Sequence, residues 1–489
     1  MLVIVWKLEA LICILKSALI VSSVNMSKTS SKRVHFIAIG GAAMHNIALA
    51  LSQNGDIVTG SDDEIAEPSL SRLRMSGLLP DKVGWYPEKI HEDLDAVVLG
   101  MHARKDNPEL IRAQELGLNI YSYPEYLYEH SKDKLRVVIG GSHGKTTITS
   151  MVLFVLKKFG ITFDFMVGAK LDGFDTMVQL SDAPIIVLEG DEYLSSPIDP
   201  RPKFHLYKAD IGLISGIAWD HVNVFPTYHS YLEQFRIFAE AIPSEGSLVY
   251  CSGDNEVNKL IKNSTIKASA IAYSIPKHEI VNGITNLLRD NGTKVPLKVF
   301  GDHNLMNIEG ARNICQLLGI SNEQFFRAIG EFKGAARRLE VLALNDQVAV
   351  YKDFAHSPSK LKATTEAVRM QFPDKQLIAC MELHTFSSLN EKFLSEYKSS
   401  MDKADMAIVY FNPKTIEHKK LEPLSEDRVR KAFGREDLVI FQDSNLLKDH
   451  ILSMDPRGHV FLMMSSGTFD GLSLEELAQK IALNTLASA

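Results

Sequence analysis

The residues best suited to chemistry form one glycine-rich segment. It follows the apolar run 135–139 and consists of Gly141, Ser142, His143, Gly144, Lys145, Thr146 and Thr147. A buried strand, a glycine turn with exposed N–H groups and a helix start together form a common phosphate-binding arrangement. The Lys145 ammonium would face the outer phosphates, and the hydroxyl of Thr146 or Thr147 would be a ligand for Mg2+. The segment predicts a site for ATP or GTP, although Ile139 replaces the first glycine of the general phosphate loop.

Acidic residues and a histidine follow two further apolar runs. Glu189 comes directly after the run 185–188, with Asp191 and Glu192 just beyond it, and His221 follows the run 211–217. Open parallel sheets bind ligands at the carboxyl ends of their strands, so Lys145, Glu189 and His221 would face one crevice. Acidic groups there can hold Mg2+. A solvated acidic loop and a structural histidine are the alternatives.

Composition restricts the class of protein. A chain of 489 residues with 45% hydrophobic content is too long for one ordinary core and predicts about three domains. The net charge of -7, without long runs of Lys and Arg, argues against a nucleic-acid partner. None of the 4 cysteines forms a C-x-x-C pattern, which argues against a disulfide framework and a zinc site. We therefore expect small-molecule substrates and a reducing, cytoplasmic compartment.

Residues 1–32 are expected to be an extension outside the fold. The apolar stretch 1–24 resembles a weak signal peptide or anchor, but Lys7, Glu9 and Lys16 interrupt it, leaving no run near the ~20 residues that a membrane span requires. Our interpretation is that Met26 is the true start and that the protein has no stable membrane association. A real anchor is the alternative.

The remaining pattern predicts an α/β protein with three domains. Residues 33–131 begin with strand, Gly40-Gly41 turn and helix, a Rossmann-like half-fold in which Ala38 and Ala43 replace two glycines of the dinucleotide fingerprint. Residues 132–334 alternate strands and helices around the phosphate loop, and their continuous apolar runs predict a mostly parallel, buried sheet. Residues 335–489 predict a third, Rossmann-like alternation. A nicotinamide-dependent oxidoreductase is an alternative function, but it would leave the phosphate-loop and acidic residues without a role.

The loop G-[ST]-H-G-K-T-T resembles that of the Mur ligase family, ATP-dependent enzymes that join amino acids or peptides to UDP-N-acetylmuramic acid. Further motifs follow in the family's order. The resemblance implies that Glu189 and His221 hold metal together with Thr146, and that Asn304 and Asn307, in G-x-H-N-x-x-N, read adenine or line the site. An N-cap role for Asn304 is the alternative.

The same resemblance implies roles in the third domain. Arg338, or Arg337 beside it, would be the hinge arginine that reaches the ATP phosphates when the domains close, and Asp353 would contact the nucleotide. Lys352 and Ser357 replace the family's usual Asp and His, and the asparagine that usually precedes D-H is absent.

The first domain is expected to bind the UDP part of the substrate. Its diphosphate would lie over the Gly40-Gly41 turn at a helix N-terminus. The candidate residues are Gly40, Gly41, Ala42, Met44, Ser61 and Asp62.

Two branches of the family remain for the amine substrate. Several members use a carbamylated lysine, but this chain has no lysine between Lys208 and Lys259. One remaining branch adds L-alanine to UDP-N-acetylmuramate in peptidoglycan biosynthesis, and the other attaches recovered L-alanyl-gamma-D-glutamyl-meso-diaminopimelate. The segment D-E-Y followed by D-x-R-x-K-F favours the peptide branch, whereas His384 resembles the alanine branch. The candidate peptide-binding residues are Tyr193, Arg201, Lys203, His356 and His384, with solvated loop charges as the alternative for Arg201 and Lys203.

Overall fold

The computed structural model describes residues 31–171, 173–219, 224–281, 284–334 and 339–485. The predicted start at Met26, the metal candidate His221 and the hinge candidates Arg337 and Arg338 lie outside these residues. In the described ranges no helix has the length and apolar character needed to cross a membrane. The chain divides into two compact units, one running to Ser274 and including Gly310–Phe325, the other formed by Ile275–Glu309 and the chain from Phe326 onward.

The first unit begins with a four-stranded parallel sheet of order β2-β1-β3-β4. All four residues of β3 are buried, as expected for a strand covered on both faces. Helices start at good caps: the Asn107 side chain accepts from two backbone N–H groups, and Ser122 with Glu125 forms a capping box. The elements are β1 (Arg33–Ile37), α1 (Ala42–Gln53), β2 (Ile57–Ser61), α2 (Ser69–Met75), a 3-10 turn (Pro87–Lys89), β3 (Ala96–Leu99), α3 (Pro108–Glu115), β4 (Ile120–Ser122) and α4 (Tyr123–Ser131).

A seven-stranded sheet of order β11-β10-β9-β5-β8-β6-β7 follows in the same unit. It is parallel except for the short strand β7, which pairs antiparallel with β6. β5 lies between β8 and β9, so the residues that follow these three strands share one edge. The elements are β5 (Leu135–Gly140), α5 (Lys145–Lys158), β6 (Asp164–Met166), β7 (Val178–Gln179), β8 (Ile185–Glu189), α6 (Lys203–Leu206), β9 (Ile211–Ile214), α7 (Tyr228–Ala241), β10 (Ser247–Cys251), α8 (Asn255–Asn263) and β11 (Ser269–Tyr273).

A three-stranded antiparallel sheet opens the second unit and departs from the predicted alternation. Its strands are β12 (His278–Val281), β13 (Ile284–Leu288) and β14 (Lys294–Pro296). These strands are short and half-exposed, so they lack the continuous apolar runs that mark the other sheets. Asn291-Gly292 between β13 and β14 is a turn signal that could have identified the hairpin. Helices α9 (Asp302–Leu317) and α10 (Asn322–Ile329) follow.

The second unit ends with a six-stranded sheet of order β15-β16-β20-β17-β18-β19. Only β15 is antiparallel to its neighbour, and the other strands alternate with helices. The elements are β15 (Glu340–Leu344), β16 (Val348–Asp353), α11 (Pro358–Gln371), β17 (Gln376–Leu383), α12 (Glu391–Leu394), a 3-10 turn (Ser395–Tyr397), β18 (Met406–Phe411), α13 (Pro413–His418), α14 (Glu426–Phe433), β19 (Val439–Phe441), α15 (Ser444–Ser453), β20 (His459–Met464) and α16 (Leu474–Asn484). The predicted α/β class with mostly parallel sheets is confirmed.

Candidate active site

The phosphate loop connects β5 to α5 through backbone conformations that require glycine. Gly141 has φ +128, and a side chain there would collide with Ser215 Oγ. Gly144 has φ +80 and is the N-cap of α5. Both φ values lie in the region that L side chains rarely adopt, which explains the two glycines of the motif.

Ser142 and His143 bind protein groups on the neighbouring strand end. The Ser142 amide donates to Gly216 O at 2.9 Å, and the Ser142 hydroxyl oxygen accepts from the Ala218 amide at 2.9 Å. Ser215 Oγ donates to His143 O. These contacts fix the loop against the segment that follows β9. The predicted ATP contact of Ser142 therefore has to coexist with a structural role for its amide and its hydroxyl.

Lys145 is the cation of this loop, and acidic residues surround it. Its Nζ donates to Glu192 Oε2 at 2.7 Å and to Gly141 O at 2.6 Å, which uses two of its three N–H donors. Burial opposes the charged form of Lys145, but the carboxylates of Glu192 and Asp191 outweigh it and raise the pKa of the lysine. The ammonium is therefore charged near neutral pH and suited to phosphate oxygens.

Thr146 and Glu189 lie together at the ends of α5 and β8. Thr146 Oγ1 donates to Glu189 Oε1 at 2.8 Å, and the Gly168 amide donates to Glu189 Oε2 at 2.8 Å. Thr147 is buried instead, so the helix phase favours Thr146 as the metal-binding hydroxyl. A hydroxyl and a carboxylate beside a phosphate loop are hard oxygen donors that fit Mg2+, which takes its other ligands from phosphates and water.

The peptide-binding candidates of the first unit are held by acidic partners. Lys203 Nζ lies 2.5 Å from Asp191 Oδ2 and 5.5 Å from the centre of the Tyr193 ring. Arg201 pairs with Asp199 at 2.6 Å and with Glu125 of α4 at 3.0 Å, and its side chain is 58% exposed. The contact with Glu125 connects the segment that follows β8 to α4, and both lie in the first unit.

The expected UDP-binding turn has a buried carboxylate under it. Asp62 Oδ2 accepts from the Gly40 amide at 2.7 Å, and burial raises the pKa of Asp62. Ser61 and Met44 are buried, Gly41 is the N-cap of α1, and Ala42 is exposed beside it. Lys89, which the sequence did not single out, donates to Ser61 Oγ at 3.2 Å and so places a cation at the end of β2.

The other predicted residues belong to the second unit. Asn304 and Asn307 are buried in α9, and Asn304 Nδ2 donates to Phe300 O at 2.9 Å. Because α9 begins at Asp302, Asn304 lies inside the helix and is not its N-cap. Asp353 is buried at the end of β16, where it accepts from the amides of Leu339 and Ala355 at 2.7 Å.

Two histidines of the same unit follow strand ends. His356 Nδ1 is 2.7 Å from Phe354 O in the loop after β16. His384 follows β17, with Nδ1 3.7 Å from Glu382 Oε1. Both strands pair in parallel with β20, so these histidines lie at the same edge of one sheet.

Two residues near Lys145 received no role from the sequence analysis. Glu192 is 1% exposed and binds Lys145 directly, and its position three residues after Glu189 in E-x-D-E was the available signal. Tyr231 of α7 donates to Glu192 Oε1 at 3.0 Å, and no motif marks it.

Family models match three stretches that together cover most of the chain. The Mur ligase family catalytic domain matches residues 33–135, the Mur ligase middle domain residues 139–315, and the Mur ligase glutamate ligase domain residues 337–467. The phosphate loop, Glu189 and Glu192 all lie within the middle domain.

Individual proteins agree with these matches. A UDP-N-acetylmuramate--L-alanine ligase of Sulfurihydrogenibium sp. is 31% identical over 463 residues, which are 92% of this chain and 98% of that protein. The fold is similar to a murein peptide ligase of Psychrobacter arcticus (TM-score 0.61, 21% identity, 93% of this chain and 99% of that chain). It is also similar to the UDP-N-acetylmuramate-alanine ligase of Thermotoga maritima (TM-score 0.65, 20% identity, 94% of this chain and 100% of that chain). With its phosphate loop, strand-end acids and three matching domains, the chain belongs to the Mur ligase family, whose members are ATP-dependent ligases that form amide bonds.

Proposed function

We propose that this enzyme joins the amine of L-alanyl-gamma-D-glutamyl-meso-diaminopimelate to the carboxyl group of UDP-N-acetylmuramate, with conversion of ATP to ADP and phosphate. The muramyl carboxylate attacks the γ-phosphorus of ATP, which gives an acyl phosphate and releases ADP. The peptide amine then attacks the acyl carbon, loses a proton and expels phosphate. The product is an amide for peptidoglycan recycling.

The residues of the first unit supply the electrostatics of the first step. The Lys145 ammonium stabilises the negative charge on the phosphoryl oxygens as the γ-phosphate is transferred. Thr146 and Glu189 would hold Mg2+, with His221 as the further candidate, and the ion neutralises phosphate charge when bound. A covalent enzyme intermediate is not required. The predicted cytoplasmic compartment suits ATP and a nucleotide-sugar substrate.

One observation supports a peptide as the amine substrate: Asp191 links Lys203 to the catalytic lysine. Asp191 raises the pKa of Lys145 and lies 2.5 Å from Lys203 Nζ. Lys203 is therefore close to the phosphate loop, and Arg201 lies two residues before it. L-alanine carries one carboxylate, whereas the tripeptide carries several, so a lysine and an exposed arginine suit the larger ligand.

Steady-state kinetics with both amines test the substrate. We expect kcat/KM for the tripeptide to exceed that for L-alanine, because only the tripeptide carries several carboxylates that Arg201 and Lys203 can bind. A value for L-alanine equal to or above that for the tripeptide contradicts the proposal. Such a result would identify the L-alanine-adding activity, which is the second candidate because relatives that are 31% and 30% identical over nearly their full length carry that name.

The variant Arg201→Ala tests the role of the exposed arginine. We expect KM for the tripeptide to rise roughly tenfold, the size of one charge-assisted contact, with little change in KM for ATP. The matched control is Arg457→Ala. Asp455-Pro456-Arg457 repeats the local pairing of Asp199-Pro200-Arg201, with 2.6 Å between guanidinium and carboxylate in both turns. Arg457 lies before β20, at the amino end of a strand, so equal effects of the two variants would reject a substrate role for Arg201.

A further inference from the structure

We propose that Tyr231 is a positioning residue that sets the orientation of Lys145 by acting through Glu192. The tyrosine is fully buried on α7, outside the phosphate loop and outside the acidic motif. Its hydroxyl lies 3.0 Å from Glu192 Oε1 and 2.7 Å from Ser142 Oγ. One side chain therefore contacts both the phosphate loop and the carboxylate that binds the catalytic lysine.

The donors and acceptors fix the direction of this hydrogen-bond chain. A carboxylate that pairs with Lys145 only accepts, so the Tyr231 hydroxyl must donate to Glu192. Tyr231 O then accepts from the Ser142 hydroxyl, whose own oxygen accepts from the Ala218 amide. These hydrogen bonds run in one direction, from the Ala218 amide through both hydroxyls to Glu192, and neighbouring bonds polarise one another toward the carboxylate.

The two oxygens of Glu192 consequently have different partners. Oε1 is held by Tyr231, and Oε2 holds Lys145 at 2.7 Å. Removing the tyrosine hydroxyl removes one of the hydrogen bonds that hold this carboxylate, and we expect the carboxylate and the ammonium paired with it to shift. Phosphoryl transfer depends on the position of this charge far more than nucleotide binding does, because small displacements cost transition-state stabilisation.

The variant Tyr231→Phe isolates the hydroxyl. The ring packs against Phe225 and Phe235, at centroid distances of 5.5 and 5.2 Å, and phenylalanine keeps these contacts. We expect kcat to fall about tenfold, the size of one hydrogen bond to a charged group, while KM for ATP changes less than about threefold. Ser142→Ala, which removes the donor to Tyr231, is a second variant and should lower kcat in the same direction.

Tyr228→Phe is the matched control on the same helix. The Tyr228 hydroxyl donates to the carboxylate of Glu256 at 2.9 Å. The variant therefore removes a hydrogen bond of the same kind that has no contact with Lys145. We expect kcat within about twofold of the wild type. The measurement uses whichever of the two amines the wild-type enzyme turns over, so the inference rests on the ATP-dependent reaction of the proposed function and not on the amine.

A double-mutant cycle decides whether Tyr231 acts through Glu192. In a Glu192→Gln background, Tyr231→Phe should have almost no further effect on kcat, because the carboxylate through which Tyr231 acts has already been removed. An unchanged kcat of Tyr231→Phe overturns the proposal. An equal loss in both backgrounds, or equal losses of kcat in Tyr231→Phe and Tyr228→Phe, also overturns it, because either result describes a purely structural hydrogen bond. If the wild-type enzyme turns over neither amine, the proposed function is rejected instead.

Discussion

Replacing Lys145 with alanine is expected to lower kcat by roughly 100-fold or more, the cost of removing one preorganised group that stabilises transition-state charge. The neighbours of Lys145 in the loop, Gly144 and Thr146, carry no charge. Lys145 is held by Glu192 and Gly141 O, and its raised pKa keeps it protonated at the pH of an assay. Water that enters the vacated space cannot supply a fixed positive charge.

Single-turnover and steady-state phosphate release provide the measurement. The loss should be in kcat, because interactions made mainly in the transition state affect the chemical step more than binding. Lys158→Ala is the control, since Lys158 is an exposed lysine in the last turn of the same helix. A Lys145→Ala enzyme with more than about one tenth of wild-type kcat would contradict the assigned role.

Many of the parallel strands, in both units, could be predicted because their sequences are continuous apolar runs. The apolar runs predict strands at 376–383, 406–411 and 459–464, and β17 (Gln376–Leu383), β18 (Met406–Phe411) and β20 (His459–Met464) have these bounds. β5 and β8 differ from the expected bounds by one or two residues. Burial on both faces favours apolar residues along most of such a strand, so the apolar run locates it even where it ends in a carboxylate such as Glu189.

The partners of Lys145 could not be predicted, since they depend on tertiary contacts. Glu192 is 47 residues from Lys145, and Tyr231 is 89 residues from Ser142. The choice between Thr146 and Thr147 depends on which face of α5 packs against β8. The motif alone does not give this orientation. Met44 shows the same limitation, because its side chain belongs to the core of the first domain.

Local sequence also explains an ion pair without explaining its function. The turns at Arg201 and Arg457 have the same Asp-Pro-Arg sequence and the same pairing geometry. They differ in location, since Arg201 lies on the segment that follows β8 and also contacts Glu125. A role in substrate binding therefore depends on whether the turn lies after the carboxyl end or before the amino end of a strand, and kinetics have to test it.

The second large effect is expected at Glu189. Glu189→Gln keeps the size of the side chain but removes its charge, and we expect kcat to fall roughly 100-fold. The Mg2+ concentration for half-maximal activity should rise at least about tenfold, because a neutral amide is a weaker ligand for a hard cation. Titration of activity with Mg2+ at saturating ATP measures both quantities.

Glu245→Gln is the control for this substitution. Glu245 is an exposed carboxylate in the turn before β10, at the amino edge of the same sheet, so its charge is removed without approaching the phosphate loop. Its Mg2+ dependence should match that of the wild type.

The Mg2+ titration separates two roles that Glu189 could have. Glu189 holds Thr146 Oγ1 and the Gly168 amide, so the variant could lose activity through the shape of the loop alone. A loss of that kind would leave the Mg2+ requirement unchanged and would lower activity equally at all Mg2+ concentrations. Partial recovery at high Mg2+ is expected instead, because a weakened site can be filled by mass action. An unchanged half-maximal Mg2+ concentration would therefore reject Glu189 as a metal ligand even if kcat fell.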